Sequence, residues 1–307
     1  MKAIILAGSE GIHPYPLVEY CPRPLLPFLG KPFLEWQLRH LRESGFTEVG
    51  LALRPEDVGA VSAYFGDGRW LGVRLEITSD SLPAGPAGCL RLFSGFIGTD
   101  PFLVTSGTMY LGGVDLVGLV RAHREHRAAA TLGMCRHPAT VTTARLENVV
   151  MAPDGLIRRF AILHPSEDRR RSHTFAGVYV FDARVLRMIP AEGFTDIREQ
   201  LIPQLCERHE AVVGVPLARP CAWLKDTEQY EEVQKALLRC GEPAGNGHVR
   251  LADDVWTDPE VRIRDSAYIL GPVVIGRGSV IEEGAHIIGP AVIGDGCRVG
   301  RGAVVRE

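Results

Sequence analysis

Short apolar runs rich in β-branched residues alternate with helical patterns from the N-terminus to about residue 235. The stretches Phe33–Ser44 and Leu116–Arg127 are predicted to be amphipathic helices, the first of which begins behind Pro32 and ends at Gly45. This alternation predicts an α/β fold with a mostly parallel sheet, whose ligands bind at the carboxyl ends of its strands. The predicted strands are Ala3–Leu6, Val49–Leu53, Val73–Ile77, Phe102–Thr105, Thr131–Cys135, Val178–Phe181 and Val212–Val215.

Two histidines, His123 and His126, lie three positions apart in the second predicted helix. His123 shares one side of that helix with Leu116 and Leu119. A metal-binding pair is one interpretation of this spacing, and a solvated helix face is the other. We favour the solvated face.

A strict six-residue repeat occupies the C-terminal part of the chain. Small residues lie four positions after successive members of the repeat, and ILGPVV and IIGPAV lie 18 residues apart. This spacing predicts a short left-handed parallel β-helix, in which the large apolar residue points inward and each coil buries its face against the next. The repeated residues are Ile263, Ile269, Ile275, Ile281, Ile287, Ile293, Val299 and Val305.

The repeat and the loss of periodicity before it predict three parts of the chain. Residues 1–238 form the α/β domain, residues 239–256 a linker rich in Gly and Pro, and residues 257–307 the β-helix. No capping sequence is evident before Glu307. Because an open last coil would expose backbone and an apolar edge, we expect another subunit to cover it or the native chain to continue.

Composition narrows the classes of partner. The formal net charge of −3 gives no electrostatic reason to expect nucleic acid or an anionic membrane as a partner. The apolar run Ala3–Leu6 is too short for a signal peptide or a membrane span. Seven cysteines without a CxxC pair favour a reducing cytoplasm over a disulfide framework. These features predict a cytoplasmic protein with neither nucleic-acid nor membrane partners.

Five motifs occur in the order found in one enzyme family. They are LAGSEGIHPYPLVEYCPRPLLPFLGKP (Leu6–Pro32), LPAGPAGCL (Leu82–Leu90), VTSGTMYL (Val104–Leu111), FAGVYVFD (Phe175–Asp182) and WLKDTEQY (Trp223–Tyr230). The chain thereby resembles the sugar-1-phosphate nucleotidyltransferases, also called sugar-nucleotide pyrophosphorylases. That resemblance implies a Rossmann-like, GT-A-like, mostly parallel sheet followed by a left-handed β-helix.

Two glycine-bearing loops carry the predicted nucleotide site. Glycines let backbone N–H groups approach a phosphate closely, and in the family the second loop packs on the base. We therefore expect the two loops to line one pocket; ordinary strand–helix turns are the alternative. The predicted nucleotide-binding residues are Leu6, Ala7, Gly8, Ser9, Gly11, Asp80, Gly85, Pro86, Ala87, Gly88, Gly107 and Gly177.

The family's charged catalytic groups are replaced in this sequence. By the resemblance, the arginine after the glycine loop falls on His13, a lysine on Arg23 and a second lysine on His164. The metal-binding aspartate of the family's NGD falls on Thr108, and Asp226 is a weak candidate for the second metal-binding aspartate. The glutamine that reads the base falls on Asp80.

These replacements favour a protein that binds a nucleotide or nucleotide sugar with little or no turnover. It would be a regulatory or assembly pseudoenzyme that requires no cofactor, and it would form a homo-oligomer or a hetero-oligomer with a paralogue. The alternative is an active enzyme that uses Mg²⁺ to make NDP-sugar and pyrophosphate from NTP and sugar-1-phosphate. A third reading, a structural β-helix protein without a ligand, is disfavoured by the two glycine loops.

Overall fold

The computed structural model describes residues 1–8, 15–79, 84–136, 146–151, 155–163, 173–218, 222–224, 226–241 and 248–306. The chain forms two compact units. Unit 1 comprises Met1–Gly11 and Gln37–Ala222, and unit 2 comprises Ile12–Trp36 and Trp223–Glu307. None of the helices in the described residues has the length and apolar character needed to cross a membrane.

The helices and strands of the described residues are as follows. The α-helices are α1 (Leu17–Tyr20), α2 (Phe33–Glu43), α3 (Pro55–Phe65), α4 (Gly85–Leu92), α5 (Ser94–Ile97), α6 (Leu116–Glu125), α7 (Ile202–Glu207) and α8 (Thr227–Arg239). The first strands are β1 (Lys2–Leu6), β2 (Pro27–Phe28), β3 (Lys31–Pro32), β4 (Glu48–Leu53), β5 (Arg74–Ser79), β6 (Phe102–Ser106), β7 (Met109–Tyr110), β8 (Ala130–Arg136), β9 (Leu146–Met151), β10 (Ile157–Leu163), β11 (His173–Phe181), β12 (Val212–Pro216) and β13 (Ala222–Trp223). The remaining strands are β14 (Val249–Ala252), β15 (Val255–Thr257), β16 (Arg262–Ile263), β17 (Tyr268–Leu270), β18 (Val273–Ile275), β19 (Val280–Ile281), β20 (His286–Ile288), β21 (Ala291–Ile293), β22 (Arg298–Val299) and β23 (Val304–Val305).

Unit 1 is built on one large sheet. Its strands follow the order β10-β9-β11-β6-β1-β4-β5, and β8 joins β11 to β12. Strands β6, β1, β4 and β5 run parallel to one another, whereas β11 runs antiparallel to β6 and to β8. All seven predicted strands are present. Strands β9 and β10, which form an antiparallel pair, were not predicted from the sequence.

The parallel register brings three strand ends together. Leu6, the last residue of β1, pairs with Ala52 on one side and with Ser106 on the other. Because parallel strands end at the same edge of a sheet, the segments that follow β1, β4 and β6 share that edge. Beneath it, Ile4, Val104 and Phe102 belong to a continuous buried apolar cluster.

Both predicted helices are confirmed, but His123 differs from the expectation. Its side chain is only 2% exposed, and its Nδ1 lies 3.1 Å from the Thr131 hydroxyl. Burial lowers the pKa of His123. His126 is exposed, and its Nδ1 lies 3.0 Å from the Ala122 carbonyl. The solvated-face interpretation is therefore wrong for His123, a histidine of the buried face of α6 that is hydrogen-bonded to Thr131.

The β-helix of unit 2 has the predicted three faces. Its sheets are β15-β18-β21, extended by β14, then β16-β19-β22 and β17-β20-β23. Parallel partners lie 18 residues apart, as Ile269 and Ile287 do. Ile281 and Ile287 are fully buried in the interior of the prism. The predicted α/β fold followed by a β-helix is thus confirmed.

Two local features differ from the sequence-based expectation. Strands β14 and β15 lie largely within residues 239–256, predicted to be a linker, and β15 pairs with β18 of the β-helix. The structure also records Cys135 in a disulfide bond, although we expected reduced cysteines. Its partner lies outside the described residues.

Candidate functional site

The carboxyl edge of β1 forms the centre of the predicted site. The Ala7 N–H donates to the Ala52 carbonyl at 2.9 Å, and the Gly107 N–H donates to the Leu6 carbonyl at 2.7 Å. These two bonds continue the parallel ladders one residue beyond β1. Leu6, Ala7, Gly8 and Gly107 are therefore brought together, as predicted.

Two glycines at this edge are required by close backbone contacts. A Cβ atom on Gly107 would lie 2.6 Å from Ala7 Cβ and 2.7 Å from Ala7 Cα. A Cβ atom on Gly8 would lie 3.1 Å from the Leu53 carbonyl carbon. Any side chain at Gly107 would displace the end of β1. The glycines thus serve packing as well as any approach to a phosphate.

The turn after β6 is held by a buried glutamine from α2. Gln37 is 1% exposed. Its Nε2 donates to the carbonyls of Ser106 at 2.8 Å and Met109 at 2.7 Å. Sequence reasoning missed this residue. Its signal is a polar residue between Phe33 and Leu41 on the apolar face of α2, four positions from each.

Thr108, on which the resemblance places the family's metal-binding aspartate, lies in this turn. Its hydroxyl lies 3.0 Å from the Ser106 hydroxyl, and its N–H donates to the same Ser106 oxygen at 3.3 Å. The Thr108 side chain is partly exposed. The described atoms therefore show a neutral, hydrogen-bonded hydroxyl at Thr108.

The second glycine loop is the beginning of α4. Gly85 has a φ of +76°, and a Cβ atom there would lie 2.6 Å from the Thr195 carbonyl oxygen. The Ala87 N–H donates to the Thr195 carbonyl at 3.0 Å, and the Thr195 N–H donates to the Ala84 carbonyl at 2.9 Å. Since Pro86 has no N–H, this loop has fewer free donors than expected. Gly85, Ala87 and Gly88 are buried and shape the loop by close packing.

Gly177 lies in a bulge of β11. The pairing of β11 with β8 shifts between Phe175 and Tyr179, and Gly177 has a φ of +80°, which favours glycine. Val178 pairs with Thr105 of β6. Because β11 runs antiparallel to β6, Gly177 lies one residue nearer to the carboxyl end of β6. The bulge thus brings Gly177 to the same edge as Gly107.

Ten predicted site residues of unit 1 lie in the described part of the chain. None of Leu6, Ala7, Gly8, Gly85, Pro86, Ala87, Gly88, Gly107, Thr108 and Gly177 carries a charge. Ser9, Gly11, His13, Asp80 and His164 lie outside the described residues.

Two further candidates belong to unit 2. Arg23 is 5% exposed and opens the short 3₁₀ helix Arg23–Leu25. Asp226 is the N-cap of α8, where its carboxylate accepts from the Gln229 N–H at 2.8 Å. The Asp226 carboxylate thus has a structural role as the cap of α8.

The hairpin of β2 and β3 in the opening motif is fixed within unit 2. The Leu29 N–H donates to Gln234 Oε1 at 2.9 Å, and His248 Nε2 donates to the Leu29 carbonyl at 3.1 Å. Asp258 Oδ1 lies 3.1 Å from His248 Nδ1 and 3.3 Å from Lys31 Nζ. These hydrogen bonds and ion pairs hold the Gly30-Lys31 turn in place.

Comparison with known proteins identifies the family. Residues 2–238 match the nucleotidyl transferase family, and residues 272–307 match the bacterial transferase hexapeptide family of six repeats. The chain is 30% identical over 286 residues to a mannose-1-phosphate guanylyltransferase of Mycobacterium tuberculosis, covering 92% of this chain and 76% of that protein. It is 29% identical over 300 residues to a glucose-1-phosphate thymidylyltransferase of Streptomyces griseus, covering 91% of this chain and 79% of that protein.

A solved structure supports the fold. A protein of Bacillus anthracis, described as a candidate glucose-1-phosphate thymidylyltransferase in complex with a sucrose, superposes with a TM-score of 0.65. The match covers 76% of this chain and 94% of that chain at 20% identity. Because the family match spans most of the 307 residues and the sheet has the corresponding topology, this chain belongs to the nucleotidyl transferase family.

Proposed function

We propose that this chain binds a nucleotide or nucleotide sugar at the carboxyl edge of the unit 1 sheet and transfers nucleotidyl groups poorly or not at all. The observation that carries this proposal is Thr108. The turn around it is well formed, since Gln37 holds the carbonyls of Ser106 and Met109. The turn is therefore kept, while the resemblance puts a neutral residue in place of the metal-binding carboxylate.

The described side chains fit Mg²⁺ poorly. Mg²⁺ prefers carboxylate and phosphate oxygens in octahedral geometry. At the position of the family's aspartate the chain offers the neutral Thr108 hydroxyl, which is already within 3.0 Å of Ser106 Oγ. Asp226, the other candidate, uses its carboxylate to cap α8. We therefore assign no cofactor to the binding function and route no reaction step through a metal.

The size of the expected rate losses supports weak nucleotidyl transfer. Nucleotidyl transfer depends on neutralising the charge of a triphosphate. Losing one preorganised electrostatic group typically costs about 2.7–4 kcal/mol, roughly a hundred- to a thousandfold in rate. In this chain the resemblance places neutral or altered groups at His13, Thr108 and His164 as well as Arg23. Even partial additivity of these losses would leave little turnover.

A binding protein of this kind suits a regulatory or assembly role. We propose that it acts in the cytoplasm as a homo-oligomer or beside an active paralogue. We also propose the domain limits 1–238, 239–256 and 257–307 for this function. The binding part would then be residues 1–238, and the β-helix would provide the surface for assembly.

Calorimetric titration with nucleotide sugars tests the binding proposal. The panel is UDP-glucose, GDP-mannose and dTDP-glucose, because the similar enzymes use different nucleotides. We expect saturable binding of at least one of them, and its loss in Gly107→Ala, whose Cβ would overlap Ala7. Gly59→Ala is the matched control, since a Cβ on Gly59 in α3 meets no atom within 4 Å. Absence of binding across the panel, or unchanged affinity in Gly107→Ala, would contradict the proposal.

An active sugar-1-phosphate nucleotidyltransferase is the second candidate. It is favoured by alignment along nearly the whole chain, for example to a UTP–glucose-1-phosphate uridylyltransferase of Synechocystis at 29% identity over 99% of this chain. In this case an altered set of ligands would hold the metal. Release of pyrophosphate in the presence of Mg²⁺ separates the two candidates.

A further inference from the structure

A second cavity in unit 1 is lined by three arginines. Its volume is about 440 Å³, within the range of small-molecule sites. Arg91, from the last turn of α4, lines it together with Arg184 and Arg187, from the 3₁₀ helix Ala183–Met188. The hydroxyl-bearing residues Ser94 and Thr99 complete its polar wall.

This cavity lies at the opposite edge of the sheet from the glycine loops. Asp182, which also lines the cavity, directly follows β11. Phe181, the last residue of β11, pairs with Phe102, the first residue of β6, so the cavity lies at the amino end of β6. Lys2 pairs with Phe102, whereas Leu6 pairs with Ser106 at the other edge. Four residues of strand separate the two edges by about 13 Å. The cavity is therefore distinct from the proposed nucleotide site.

The positive charge of the cavity is only partly neutralised. Arg184 is paired, since its Nη2 lies 3.1 Å from Glu210 Oε2 and its Nε lies 3.9 Å from Asp182 Oδ1. Arg91 donates from Nη1 to the neutral Ile189 carbonyl at 2.6 Å, which leaves its charge uncompensated. Arg187 is exposed and has no side-chain partner among the described residues.

We propose that this cavity is a second binding site, which takes a small metabolite bearing a phosphoryl group. Guanidinium groups present several donors in a planar fork that matches phosphate oxygens. Arg91 and Arg187 supply uncompensated charge, and the Thr99 hydroxyl can donate to the same group. The cavity has room for an organic body beside the phosphoryl group, so a sugar phosphate fits better than the free ion.

The test is calorimetric titration of the full chain with inorganic phosphate and with ribose 5-phosphate at constant ionic strength. We expect saturable binding of ribose 5-phosphate that is tighter than that of phosphate. Arg187→Glu should weaken it at least about tenfold, because a hydrogen bond to a charged group is lost. Arg187→Lys keeps the positive charge but not the planar fork of the guanidinium group. Its affinity for ribose 5-phosphate should lie between those of the unmodified chain and Arg187→Glu.

Arg262→Glu is the matched control. Arg262 is an exposed arginine of β16 in unit 2, with no side-chain partner among the residues that the structure describes. This substitution changes the net charge by the same amount as Arg187→Glu and should leave the affinity within about twofold, since Arg262 does not line the cavity. Arg187→Ala and a urea titration of each variant verify that any loss does not come from unfolding.

Three results would overturn the proposal. The first is no saturable binding of either probe to the unmodified chain. The second is equal affinity of the unmodified chain and folded Arg187→Glu, which would place the anion elsewhere. The third is equal weakening by Arg262→Glu, which would show that net charge, and not this cavity, attracts the anion. Nucleotide-sugar binding should be unchanged in Arg187→Glu, so this test stands apart from the proposed function.

Discussion

At the scale of single residues, the sequence predicted the positions of several glycines better than it predicted their contacts. The motifs placed Gly8 and Gly107 at the ends of strands, where the structure has them. Only the structure shows that Gly107 lies against Ala7, because this contact joins residues 100 positions apart. Gln37 escaped prediction for the same reason, since its partners Ser106 and Met109 are remote in the chain.

Thr108→Asp should restore affinity for magnesium-bound nucleotide. A carboxylate at this position can still accept from the Ser106 hydroxyl, so the turn should persist, and it adds the charge that Mg²⁺ prefers. We expect the affinity for a nucleoside triphosphate to rise about tenfold with Mg²⁺, which equals roughly 1.4 kcal/mol. Calorimetric titration measures it.

Thr108→Asn is the control for that experiment, because asparagine has the shape of aspartate without its charge. Its affinity should stay near that of the unmodified chain. Thr108→Asp combined with His13→Arg should increase the gain further. Unchanged affinity in the double variant would mean that these two positions do not correspond to the family's charged residues.

Asp258 is the residue whose charge matters most for the hairpin of unit 2. Burial raises its pKa, but the close contact with His248 Nδ1, at 3.1 Å, together with the charge of Lys31, outweighs burial and leaves the pKa below its ordinary value. A carboxyl group with a depressed pKa in the folded state stabilises the fold above its unfolded pKa of about 3.9. That stabilisation is lost as the pH falls through the lower folded value.

Asp258→Asn should therefore destabilise the chain in a pH-dependent way. At pH 7 we expect a loss of about 3 kcal/mol in the free energy of unfolding, because the partly buried Lys31 is left without its counter-charge. The difference from the unmodified chain should shrink below about pH 4. Urea titrations at several pH values measure it.

Asp253→Asn is the matched control, since Asp253 is fully exposed in its pair with Arg250. It should change the free energy of unfolding by less than about 0.5 kcal/mol at any pH. An effect of Asp258→Asn that is the same at pH 3 and pH 7 would refute the assigned charge pairing.

At the scale of elements, periodic segments were predictable and irregular ones were not. Strands such as β1 and β12 are short β-branched runs, and this pattern was sufficient to predict them as strands. Strands β9 and β10 carry only short apolar runs interrupted by charged residues, and they pair with each other and, through β9, with β11. The bulge at Gly177 depends on β8 and β6 together, so no local pattern reveals it. The start of α8 likewise needed the structure, because the sequence offered Asp226 only as a weak candidate for a metal ligand, whereas its carboxylate caps the helix.

Variants of Asp226 separate those two roles. Asp226→Ala removes the cap of α8 and should cost about 1 kcal/mol of stability, whereas Asp226→Ser keeps a capping oxygen and should restore most of it. Thermal unfolding measures both. If the carboxylate instead served only a metal, alanine and serine would be equally stable, and EDTA would lower the melting temperature of the unmodified chain alone.

At the scale of the whole molecule, the hexapeptide repeat was the most predictable part. Its contacts recur every 18 residues, so the sequence carries the architecture directly. The start of the β-helix was harder to predict from the sequence, because β14 and β15 have no hexapeptide pattern and yet join the β-helix sheet. The two compact units also do not follow the order of the chain, because Ile12–Trp36 belongs to the same unit as the C-terminal part.

The whole-molecule account makes one central claim, which is that a nucleotide-binding fold has been kept without its charge-neutralising groups. The most direct test is steady-state release of pyrophosphate by the purified full-length chain with Mg²⁺. The panel comprises ATP, GTP, UTP and dTTP, each with glucose 1-phosphate and with mannose 1-phosphate. We expect release at the background level of the reaction without enzyme for every pair. Robust release that requires Mg²⁺ and disappears with EDTA would contradict the claim and establish an active nucleotidyltransferase.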